Sequence, residues 1–103
     1  MPAFSEDLAN WQAKADMTIS DLAVWFGRPR STVKTWVLDG RTPLGPSGRL
    51  ARVRLNLLIW AVRQKRGLPV PATLSAHERP EYVRGKRDVA ERDWRVSSMR
   101  AAG

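Results

Sequence analysis

Thr18–Pro43 reads TISDLAVWFGRPRSTVKTWVLDGRTP. Leu22, Ala23 and Phe26 fall on one face of a first helix, and Val33 and Trp36, three apart, on one face of a second. Gly27 stands between them, where a sharp turn needs a positive φ. Ala23 is small where the two helices would approach closely. The pattern predicts a helix-turn-helix. Its second helix, expected over 29–38, exposes Arg30, Ser31, Thr32, Lys34 and Thr35 between its buried positions. Those groups suit phosphates and base edges.

The flanking sequence extends this unit on both sides. Phe4, Leu8 and Trp11 recur at i, i+4 and i+7, a core stripe on a helix expected from Ser5 to Ala15. Ser5 is its candidate cap, with Glu6 and Asp7 in the first turn. Thr18-x-x-Asp21 has the form of a capping box with Asp for Glu, and the Thr18 hydroxyl is also a phosphate candidate. Trp25 lies off the Leu22/Phe26 stripe, which predicts a ring that covers the first helix or stays part-exposed. Asp39-Gly40 ends the reader helix, and residues 40–48 read as an irregular loop.

The longest helical signal is RLARVRLNLLIWAVRQKR, residues 49–66. Leu50, Val53, Leu57, Trp60 and Ala61 share one face, and Leu55, Leu58, Ile59 and Val62 a second. A helix apolar on two sides needs cover on both. One face can pack on the helix-turn-helix, and the other needs another copy of the chain or the tail; self-association is the favoured reading, with Leu55, Leu58, Ile59 and Val62 as interface candidates. Arg49, Arg52, Asn56 and Arg63 occupy the remaining wedge. Beyond it, 67–82 reads as an extended linker opened by Gly67-Leu68-Pro69-Val70-Pro71. Residues 83–103 read as a tail with a weak, partner-dependent helix. The domain plan is therefore 1–66 with its long apolar helix at 48–66, then linker, then tail.

Charge follows the same plan. The 103-residue chain carries a net charge of +8. Residues 1–27 hold one Lys and four acids, net −3; residues 28–66 hold ten Lys and Arg and one acid, net +9; residues 67–103 net +2. Positive charge starts where the reader helix starts, which points to double-stranded DNA as partner. There is no cysteine and one histidine, His77. No catalytic constellation, metal set or phosphate loop is visible, so no enzyme activity and no cofactor is expected. No apolar run approaches a membrane span, and the acidic start is unlike a signal peptide. The expected location is the cytoplasm.

From Leu8 to about Leu58 the chain resembles the phage repressor-like (Cro-type) helix-turn-helix family. The matching residues are Leu8, Trp11, Leu22-Ala23, Gly27, Arg30-Ser31-Thr32-Val33, Trp36 and Gly40-Arg41-x-Pro43, followed by an apolar helix. Arg28 stands where the family has a small apolar residue, Pro29 where it has a capping hydroxyl, and Thr18 where it often has Gln. The resemblance implies an all-α bundle of four or five helices with an extended, partly helical C-terminal tail. It places the third helix in the major groove, in a bacterial host cell if the chain is of phage origin. Base-edge contacts would come from Arg30, Ser31, Thr32, Lys34 and Thr35. Phosphate contacts would come from Thr18, Arg28, Arg41, Arg49 and Arg52, with Arg54 extending the track. The expected function is a small transcriptional regulator acting as a dimer. The order of parts is also similar to small terminase subunits of tailed phages, which implies an oligomeric ring that selects viral DNA for packaging. A third possibility is a module whose tail at 83–103 docks a protein partner.

Overall fold

Five helices follow one another in the computed structural model, which describes residues 3–102, with side chains described through residue 96. They are α1 (Phe4–Lys14), α2 (Ile19–Phe26), α3 (Arg30–Leu38), α4 (Gly45–Arg63) and α5 (Arg79–Ala102). No strand occurs among the described residues, so the fold is an all-α bundle. The Cα radius of gyration is 13.4 Å, close to the ~13 Å expected of a compact domain this size.

The helix-turn-helix forms as its sequence predicts. Thr18 and Asp21 complete a reciprocal capping box: the Asp21 amide donates to the Thr18 hydroxyl at 3.1 Å, and the Thr18 amide donates to the Asp21 carboxylate at 3.0 Å. Gly27 ends α2 in the left-handed region, φ +66°. Pro29 is the N-cap of α3 rather than its first residue, and its carbonyl accepts from the Thr32 and Val33 amides. Phe4, Phe26 and Trp36 pack edge to face, with centroids 5.6–6.5 Å apart. One residue each from α1, α2 and α3 makes this cluster, so it sets the tilt of α3 on the bundle.

Several local expectations are corrected. Ala3, not Ser5, caps α1, and no side chain bonds there. Helix α4 begins at Gly45, so residues 45–48 are helical rather than loop. Pro46 suits this first turn because its missing N–H has no intrahelical partner there. Gly48 is needed in the same turn: a Cβ at 48 would lie 2.5 Å from the Pro43 carbonyl oxygen. Trp25 is fully buried. Its indole N–H donates to the Arg54 carbonyl at 2.9 Å, and the Arg54 guanidinium returns a bond to the Trp25 carbonyl at 3.1 Å. The ring is a tie between α2 and α4.

The C-terminal third departs most from expectation. Residues 67–78 are pinned rather than free: Leu68 and Val70 are buried, and the Val70 amide donates to the Ala15 carbonyl at 2.9 Å. Ser75 and Glu78 exchange bonds as a second capping box ahead of α5. Helix α5 begins at 79 and packs on α2 and α4, with Val83 and Ala90 fully buried. The second apolar face of α4 is therefore covered in part within the protomer. Leu55 and Leu58 are fully buried in the core, and Ile59 and Val62 are half-buried. Leu55 and Leu58 cannot form a self-association surface while the bundle is intact. Leu50 and Val53, expected in the core, are 46 % and 48 % exposed.

Candidate nucleic-acid interface

The exposed face of α3 is set by what α3 buries. Val33 and Trp36 anchor it inward. Arg30, Ser31 and Lys34 stand on the opposite side, all exposed. Thr32 and Thr35 are half-buried at the margin of that face. The Thr35 hydroxyl donates to the Thr32 carbonyl at 2.6 Å, so its proton is spent within the helix. The base-edge candidates thus reduce to three fully presented side chains and two marginal ones. Leu38 completes the same face, seven residues after Ser31 and four after Lys34, at 62 % exposure. The sequence reading passed over it because a leucine at helical spacing ordinarily reads as core. An apolar side chain on such a face suits a thymine methyl.

The phosphate candidates divide. Thr18 is exposed at the α2 N-terminus, and its oxygen accepts the cap bond. Arg41 and Arg49 are exposed, and Arg28 is half-buried. Arg28, Arg30, Lys34, Arg41 and Arg49 form no ion pair among the described residues. Arg52 instead pairs with Asp7 at 3.3 Å, and Arg54 is used on the Trp25 carbonyl. Those two guanidiniums tie helices together.

Helix α5 adds two arginines that the sequence reading did not single out. Arg79 reaches the buried Asp21 carboxylate, Nη2 at 2.6 Å and Nε at 3.0 Å, and donates to the Asp16 carbonyl. Burial pushes the Asp21 carboxyl up, but the Arg79 bonds and charge, with the Thr18 amide and hydroxyl, outweigh it and hold the group below its ordinary value. The bond to Asp21 raises the Arg79 guanidinium further above its already high value. Thr18, Ser20, Arg30 and Arg79 line a cleft of about 360 Å³ beside the α2 N-terminus. Arg87 donates to the Val24 carbonyl at 2.9 Å, at the C-terminal end of α2. A cation there complements the helix dipole next to the turn that aims α3. Nothing in spacing or composition marks these two among the arginines of a mixed-charge segment.

The arrangement presents cations, hydroxyls and one apolar side chain on a rigid helix, with no acid among the presented α3 positions. Among the described residues no group of His, Asp and Glu gathers as a metal site, and no helix is long and apolar enough to cross a membrane. Comparison with protein families, with characterised proteins and with solved structures returned no match to this chain.

Proposed function

We propose that this protein binds double-stranded DNA, with α3 in the major groove and the α2 N-terminus against the phosphate backbone, as a small transcriptional regulator. The observation that carries the reading is the exposed face of α3. Arg30, Ser31 and Lys34 are turned outward by the buried Val33 and Trp36, without ion-pair partners among the described residues. Arg30 and Lys34 are the donors for guanine O6 and N7; Thr18, Arg28, Arg41 and Arg49 seat phosphates.

A helix this short reads few base pairs, so specific affinity calls for a second copy on a second half-site. Leu55 and Leu58 of the α4 second face are not available for that contact. Leu50 and Val53 continue the stripe of the buried Leu57 back toward the α4 N-terminus, and Trp94 continues the stripe of Val83 and Ala90 along α5. The ring-forming packaging role has less support. Leu55 and Leu58 of α4, and Val83 and Ala90 of α5, are buried within one protomer and so are withdrawn from a ring interface.

Selection from random-sequence duplexes, followed by binding to the enriched site, tests the proposal. Arg30→Ala with Lys34→Ala should remove sequence preference, a loss of about 1–3 kcal/mol of discrimination per lost bidentate contact, with the circular dichroism spectrum unchanged. Preference retained in that double variant would eliminate α3 as the reader. Light scattering on the complex separates a dimer from a ring.

A further inference from the structure

We propose that the trough between α1 and α4 is a docking site for a short acidic segment of a protein partner, anchored by a large apolar side chain. The trough has a volume of about 510 Å³ and shares no residue with the α3 face. Asp7 and Trp11, four apart on α1, form one wall. Asn56, Trp60 and Arg63, at i, i+4 and i+7, form the other, and Ile59 lies beside them. Ile59 and Trp60 are only half-buried, so the helices leave apolar surface uncovered here. From Asn56 to Gln64 the α4 wall runs for roughly 12 Å, about two helical turns. Both end residues present amides that can bond a peptide backbone.

The rim selects the partner's charge. The Lys14 ammonium sits 4.4 Å from the centroid of the Trp11 ring, and the Arg63 guanidinium 5.3 Å from it. Arg66 lies 5.4 Å from Trp60. Lys14 and Arg63 have no carboxylate partner among the described residues, and the trough's one acid, Asp7, is already paired with Arg52. Two cations held over an aromatic wall, with their charge unmatched, suit carboxylates that flank an apolar anchor. A second copy of this chain does not supply that pattern. Its exposed Leu50 and Val53 are flanked by Arg49, Arg52 and Arg54, and the acids beside its exposed Val89 and Trp94 are already matched: Asp88 by Arg87, Glu91 by Arg95, and Asp93 by Arg66 and Arg92. Single-stranded nucleic acid is disfavoured too, because the Trp11 ring is buried beneath Lys14 and Arg63 and the Trp60 ring carries Arg66, which leaves neither ring freely open to a base.

The test uses the full chain and a fluorescein-labelled probe peptide of sequence Asp-Glu-Leu-Phe-Asp-Glu-Leu-Leu, read by anisotropy. A control peptide keeps the acids and replaces Leu and Phe by Ser. The anchored peptide should bind at least about tenfold more tightly than the control. The exposed-site variant Arg63→Glu and the wall variant Trp60→Ala should each weaken it by about tenfold or more. Peptide addition should shift the indole N–H resonances of Trp11 and Trp60 and leave the Arg30 and Lys34 amides in place. Should Trp60→Ala not fold, Arg63→Glu and the resonance shifts decide. Equal binding of both peptides would reduce the effect to the general attraction of a +8 chain and overturn the proposal, as would indifference to Arg63→Glu. A single-stranded oligonucleotide that displaced the peptide and moved the same indoles would assign the trough to nucleic acid instead.

Discussion

Asp21 holds three jobs within one side chain: it completes the α2 cap, receives Arg79, and joins the helix-turn-helix to α5. Removing one partner of a buried ion pair costs more than the pair contributes net, because the other charge is left unmatched. Asp21→Asn should therefore lower stability by about 3 kcal/mol at neutral pH, measured by urea unfolding. The pH dependence has a definite sign. The folded carboxyl lies below its ordinary value of 3.8, so its contribution is complete above about pH 4 and fades as pH falls through the depressed folded value. The gap between wild type and Asp21→Asn should narrow below about pH 4. A gap constant down to pH 2 would show that the charge is not what stabilises. Gly27 provides a second test at this scale. A Cβ there meets only the Arg87 side chain, at 3.9 Å, an ordinary contact, so the cost of Gly27→Ala comes from the left-handed backbone. About 1–2 kcal/mol is expected, again by urea unfolding; a neutral substitution would mean that the turn opens in solution.

Among the elements, legibility in the sequence tracked how local the determining interaction is. Helices α1 to α3 and the Thr18/Asp21 cap were readable because stripes and caps are decided within a few residues. The presented half of the candidate face, Arg30, Ser31 and Lys34, followed from the same phase. What escaped depends on pairs distant in the chain: Trp25 with Arg54, Arg79 with Asp21, and Arg87 with Val24. The docking of helix α5 on the bundle was hidden for a related reason. Its buried stripe is thin, Val83 and Ala90 with Arg87 between them, and an arginine that caps another helix reads as a surface charge. Leu55 and Leu58 were misplaced as interface residues because a two-faced helix says that both faces are covered and not by what. The docked α5 makes a prediction at this scale. Val83→Asp would place an unpaired charge against α2 and α4, at a cost on the order of 3–5 kcal/mol, a large share of what holds a small domain together. Thermal unfolding by circular dichroism should show a strongly lowered midpoint. An unchanged midpoint would mean that α5 does not dock in solution and that 83–103 behaves as a tail after all.

For the whole molecule, the decisive quantity is how much of the +8 charge is free to meet a polyanion. Arg52, Arg54, Arg66, Arg79 and Arg87 are engaged with the chain's own carboxylates or carbonyls. On the proposed DNA-binding reading, the remaining phosphate cations are Arg28, Arg41 and Arg49. The salt dependence of binding counts them. Each phosphate neutralised by a Lys or Arg contributes about −0.9 to the slope of log K against log salt on duplex DNA. Arg41 is exposed and unpaired among the described residues, and it lies outside every helix, so Arg41→Ala removes one such contact with little effect on folding. If a single protomer binds, the slope should become shallower by about 0.9; if two copies bind as a dimer, one substitution removes two contacts and the change should be about 1.8. Fluorescence anisotropy across a salt series, on the selected site and on a random duplex, measures both. Arg52→Ala should leave the slope nearly unchanged, because that guanidinium is held by Asp7. A slope that responds to Arg52 as strongly as to Arg41 would mean that the Asp7 pair opens on DNA. The phosphate track would then run along α4 as the charge pattern alone suggests.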